Sequence, residues 1–180
     1  MRFWAGDLLH FWFHELNEAQ RFARNDAVDA ELRRRFAGTL AAMGKRPARE
    51  FLRDLPTARA AILLFDQVPR NLFRNDPRAF AYDPLARAIT WGIMRGGGDH
   101  GLSRPARHFV YMPLMHSEHI ADQRESLRRF AAMGDSSHFA FARAHYRMIA
   151  RFGRFPHRNA VLGRKSSTAE RRAIAAGNSW

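Results

Sequence analysis

The chain has no cysteine among its 180 residues. That excludes disulfides, thiolate nucleophiles and cysteine-ligated zinc. A cysteine-free chain fits a reducing compartment, so a cytoplasmic location is expected. Long apolar runs are missing too. The longest, 60–65 and 109–115, fall far short of the roughly 18 uncharged residues that a membrane span requires. Asp7 and His10 interrupt the apolar start, so no signal peptide is expected. β-branched residues are scarce and strict apolar–polar alternation is rare, which argues against strands. Gly-x-Gly-x-x-Gly, P-loop, kinase, Gly-x-Ser-x-Gly and His-Glu-x-x-His patterns are all absent, so no cofactor or metal is assigned.

Lysine is nearly absent as well. Lys45 and Lys165 are the only lysines among 30 basic residues, yet the formal net charge is +13. A basic chain invites a nucleic-acid reading. Such a bias toward arginine looks instead like a GC-rich coding preference, and most of the charges are scattered at helical spacing. The exception is 136–180, where Glu170 is the only acid. A solvated face is the favoured account of that excess, and nucleic-acid binding ranks last among the functional readings.

What is present has a helical period. The reading is an all-α chain: one domain, 1–180, of about seven or eight antiparallel helices. Phe3, Leu8, Phe11, Trp12 and Leu16 mark a first stripe. Asp26 or Asp29 caps a helix carrying Leu32, Phe36 and Leu40, closed by Gly44 and Pro47. A third helix starts near Thr57, is apolar all round at 60–65, and stops at Val68-Pro69. Asp76-Pro77 and Asp83-Pro84 have the cap-plus-proline form. Gly96-Gly97-Gly98 ends the helix begun at Pro84. Pro113 kinks or breaks the next one, which starts near Ser103 or Pro105. Later helices begin near Ser117, at Ser136 or Ser137, and at Thr168.

Three apolar runs end in polar knots. They hold Asp66, Arg70 and Asn71; His116 and Glu118; and Arg151, Arg154, His157, Arg158 and Asn159. Buried helix ends need partners for their unpaired backbone groups. If the knots meet, they form a polar pocket on an apolar floor. Arginine forks suit carboxylate or phosphate. Asn71 and Asn159 would orient such an anion, Asp66 and Glu118 would position the arginines, and His116 or His157 could move a proton. The opposing account is that these groups pair with one another and lock the helix ends. The His116/His119 spacing is not that of a zinc site, and Ser117 stands where a helix should begin. The crowd of aromatics at Phe3, Trp4, Phe11, Trp12 and Phe13 reads as core, or else as a groove edge for a partner peptide.

Several stretches together resemble a known bacterial family. They are Phe11-Trp12-Phe13, Asp66-Gln67-Val68-Pro69-Arg70-Asn71, Arg78-Ala79-Phe80-Ala81-Tyr82-Asp83, Tyr111-Met112-Pro113-Leu114-Met115-His116-Ser117-Glu118 and Arg151-Phe152-Gly153-Arg154-Phe155-Pro156-His157-Arg158-Asn159. The family is domain of unknown function 924, and the match runs from about Leu9 to Ser167. It implies helices related to tetratricopeptide-like hairpins and carries no activity with it. The sequence departs from the family at 45–50, where a tryptophan-containing stretch is expected. The leading functional reading is binding of an anionic small molecule or an acidic peptide terminus by the ten knot residues. The alternative is a protein-interaction module whose ion pairs are purely structural. The sequence assigns no enzymatic reaction.

Overall fold

The computed structural model describes residues 1–178, which contain helices and turns and no strand. The chain divides into two compact units, Met1–Pro113 and Leu114–Trp180. Ser179 and Trp180 lie outside the described residues. Among those described, no helix is long and apolar enough to cross a membrane.

The first unit opens with α1 (Phe3–His10), which widens into a π turn at Phe11–Glu15. A short α2 (Glu18–Phe22) comes next, held by a reciprocal capping box between Asn17 and Gln20. Then come α3 (Asp26–Met43), α4 (Leu55–Ile62), a second π turn at Leu63–Gln67, and α5 (Val68–Leu72). A 3-10 turn at Pro77–Phe80 leads to α6 (Asp83–Arg95), and α7 spans Arg104–Met115. The period-four apolar face of α3 is buried as read: Leu32, Phe36 and Leu40 are at most 2% exposed. Phe36 meets Phe11 with ring centroids 6.0 Å apart. Full burial of one such side chain stabilises the fold by roughly 1.5–3 kcal/mol. The run from Ala60 to Phe65 is buried on every side.

Several boundaries differ from the sequence reading. Asn25, not Asp26 or Asp29, caps α3, accepting from Ala27 and Val28; the Asp29 carboxylate is taken by Arg74. Asp54 caps α4 through the Thr57 amide. The helix does not stop at Val68-Pro69. The wider π turn before it relieves the crowding that proline imposes on the preceding turn, and Val68 keeps helical angles. Pro113 likewise lies inside α7. Asp83 does not act as a cap; its carboxylate binds Arg70. Phe3, placed on the apolar stripe, is 94% exposed.

Gly44 closes α3 where only a hydrogen fits. A Cβ there would run into the Tyr82 ring and lie 3.0 Å from the Leu40 carbonyl. Tyr82 is itself stacked on the buried Phe65, so it has little room to yield. Gly44→Ala is therefore expected to cost about 1–3 kcal/mol by overpacking. A urea titration showing an unchanged midpoint would refute this.

The second unit is led by α8 (Ile120–Ala132) and α9 (Ser136–Phe152), packed as a hairpin through the turn at Met133-Gly134-Asp135. Gly134 takes φ 69°, a left-handed angle suited to glycine. Asp135, rather than a serine, caps α9 through the amides of Ser137 and His138. Ser117 does receive the His119 amide just before α8 becomes regular. A 3-10 turn at Pro156–Arg158 and α10 (Thr168–Ala175) complete the unit. Ser167, with Glu170 three residues on, caps α10 in place of Thr168. Met148, Ile149, Phe155 and Ala173 form a small core there.

Candidate functional site

The first polar knot lies in the first unit and is densely paired. The Arg70 fork grips Asp83 at 2.8 and 2.9 Å. It also donates to the Asp66 carbonyl at 2.6 Å and lies 3.4 Å from the fully buried Asp66 carboxylate. Burial works against the Arg70 charge, but the carboxylates of Asp66 and Asp83 outweigh it and hold its pKa above the usual arginine value. Asn71 donates to the Gln67 carbonyl at 2.9 Å and accepts from Arg74 at 3.0 Å. Arg74 in turn grips Asp29 on α3 at 2.6 and 2.9 Å. The network thus ties α3, α5 and α6 around the π turn that presents Asp66.

The second and third knots come together in the second unit. Glu118 accepts the Phe155 amide at 2.8 Å and both arms of Arg164 at 2.8 and 2.9 Å. Burial alone would raise the Glu118 pKa, yet these donors hold it below the usual range. Three side chains surround the ring of Phe155, which is fully buried. His145 meets it edge-on at 5.5 Å, His157 lies at 5.6 Å, and the Arg158 guanidinium sits 4.4 Å from its centroid. His116 is 6.1 Å from His145. Burial first, then the positive neighbours, pushes His145 down to about 3 and His157 to about 4.

The third knot's other residues have separate surroundings. Arg154 grips Glu170 at 2.7 and 3.0 Å, which pulls Glu170 down to about 2. Asn159 donates to Ser166 at 3.0 Å, while its buried Oδ1 has no partner. Arg151 is exposed and rests over Phe152. Among the described residues, no group of three or more His, Asp or Glu could hold a metal ion.

Sequence reasoning missed a cavity of about 580 Å³ in the first unit. Its polar lining includes His10, His14, Arg21 and Arg59, and its apolar walls include Leu9, Phe13, Pro56 and Ala106. The π turn at Phe11–Glu15 swings Phe13 and His14 away from the regular helical register. His14 stacks on His10 at 5.4 Å. The ring of Phe13 packs edge-on against Phe109 and lies 5.5 Å from the Arg59 guanidinium and 5.9 Å from that of Arg21. Arg21 donates Nε and Nη2 to the Leu16 carbonyl. No Asp or Glu belongs to the lining among the described residues. Arg59 is only partly exposed, its Nε is buried without a partner, and burial lowers its pKa. The sequence signal lay in the aromatic crowding at Phe11-Trp12-Phe13. Nothing in it linked that segment to Arg59, more than forty residues away.

No curated protein matches the chain. Among solved structures, it is similar to a protein of unknown function, ATU0120 from Agrobacterium tumefaciens. The two are 33% identical, the match covers 96% of this chain and 97% of that one, and the TM-score is 0.89. The family model for a bacterial protein of unknown function, DUF924, matches residues 8–178, and the chain belongs to that family.

Proposed function

We propose that the chain binds a small anionic molecule in the cavity of its first unit. One observation carries this reading. Arg59 and Arg21 both line the cavity, and neither has a carboxylate partner among the described residues, whereas Arg35, Arg70, Arg74, Arg154 and Arg164 are all gripped by acids. A guanidinium that gives up part of its hydration without gaining a carboxylate holds its charge ready for an incoming one. On the same grounds, the paired Arg70 and Arg154 act as locks between helices. Anion binding was the leading reading of the sequence; its place moves from the knots to the cavity.

A second reading is favoured by the ring around Phe155. Arg158 brings a fixed positive charge there, beside the neutral rings of the buried His145 and the half-buried His157. An anion held among them would bring the two depressed histidines back toward their ordinary range.

Titration calorimetry with pyrophosphate and citrate decides between the two sites. Arg59→Gln is expected to weaken the binding by about tenfold or more, since a charge-assisted hydrogen bond contributes roughly 1.5–3 kcal/mol. Binding that survives Arg59→Gln unchanged but moves the His145 and His157 ring resonances would transfer the site to the second unit. No binding of either anion would remove both readings.

A further inference from the structure

The cavity is equipped for more than a bare anion. We infer that its ligand is a phosphate monoester with an apolar organic body, a conclusion that rests on the anion-binding role proposed for the same cavity. Three features lead there.

The first is charge. Arg21 and Arg59 bring two fixed positive charges, and no Asp or Glu among the described residues lines the cavity against them. A monocarboxylate would leave one of the two uncompensated. A phosphate monoester carries about −1.5 to −2 at neutral pH.

The second is direction. A planar carboxylate is best held along one edge by a single fork. Here the Nε–Nη2 edge of Arg21 is occupied by the Leu16 carbonyl. The donors also stand on different elements: His10 on α1, His14 on the π turn, Arg21 on α2 and Arg59 on α4. Donors arriving separately suit the tetrahedrally spread oxygens of a phosphoryl group.

The third is the rest of the space. A volume of about 580 Å³ is well within the range of sites for whole small molecules, roughly 300–1,000 Å³, and a phosphate alone would leave most of it empty. Leu9, Phe13, Pro56 and Ala106 offer apolar wall. Phe13 is fixed by Phe109 and by the two guanidiniums over its ring, so it offers firm apolar wall beside the cations.

The test uses the full chain with three probes: phenyl phosphate, inorganic phosphate and benzoate. Phenyl phosphate is expected to bind at least about tenfold more tightly than either of the others, tenfold being 1.4 kcal/mol. Arg59→Gln is expected to remove most of the phenyl phosphate affinity. Phe13→Ala is expected to shrink its advantage over inorganic phosphate, because it removes apolar wall. Should Arg59→Gln fail to fold, His14→Ala at an exposed position carries the same test, with a smaller loss expected. If benzoate matches phenyl phosphate, the phosphomonoester class is wrong and anion binding stands. If inorganic phosphate matches phenyl phosphate, the organic body is not recognised and the inference fails on that point. If none of the three binds, the cavity reading falls together with it.

Discussion

Arg70→Ala is expected to destabilise the protein by about 3–5 kcal/mol, the usual result of removing one partner from a buried ion pair. The cost comes less from the missing hydrogen bonds than from the carboxylates left behind. Asp66 is fully buried, and the Asp83 side chain is only 20% exposed. Without the guanidinium, each must retain its charge at low hydration or take up a proton. Arg70 also donates to the Asp66 carbonyl inside the π turn, so its loss strips a partner from irregular backbone. At roughly 2–4 °C per kcal/mol for a chain of this length, the melting temperature is expected to fall by about 10 °C. Asp83→Asn, which weakens the pair without emptying the space, should fall between this variant and the wild type. Arg34→Ala is the matched control. It breaks the exposed pair with Glu31 and is expected to leave melting unchanged, because exposed pairs contribute little. If Arg70→Ala melts with the Arg34→Ala control, Arg70 is no lock, and its place among ligand-binding candidates would have to be reopened.

Element type was legible in the sequence because it depends on local periodicity. The α3 stripe at Leu32, Phe36 and Leu40 and the all-round burial of Ala60 to Phe65 were both readable. Boundaries were less so, because several residues can serve one cap and tertiary partners choose among them. Asp83 reads as a cap beside Pro84, but Arg70, 13 residues earlier, claims its carboxylate. Ser136 and Ser137 read as caps, but Asp135 reaches the same amides. The two π turns were invisible: a single wide turn leaves the apolar spacing nearly intact, so nothing marked Val68-Pro69 as passable. The knots were found from composition, and the second and third do meet around Phe155. Their pairing could not be read, since it depends on which carboxylate the fold brings to each arginine. The cavity was missed for the same reason. Phe13 and Arg59 meet through the packing of α1 against α4, a contact without sequence signature.

Acidification is expected to loosen the second unit before its carboxylates are neutralised. His145 is 4% exposed and donates through Nδ1 to the Phe141 carbonyl, 2.9 Å away. Burial, His116, Arg158 and His157 all disfavour its protonation, leaving it near 3 in the folded state, against about 6.5 in an unfolded chain. Between those values the unfolded state binds the extra proton. The histidine therefore contributes its full share of stability above about pH 6.5 and loses it steadily as pH falls toward 3. From about pH 7 to pH 4.5 the loss from His145 alone is roughly 2–3 kcal/mol. His157, pushed to about 4, adds to it in the same direction. The acids that brace this unit still hold their charge at that point. Glu170 lies near 2, and Glu118 is kept low by Arg164 and the Phe155 amide. Melting curves across this pH range should therefore slide downward, and His145→Gln, which cannot take up a proton but can still donate to Phe141, should flatten the slide. A slope that His145→Gln leaves untouched would show that the acid sensitivity arises elsewhere. A steeper slope would mean that the imidazole is charged in the fold, which its burial and the nearby Arg158 guanidinium argue against.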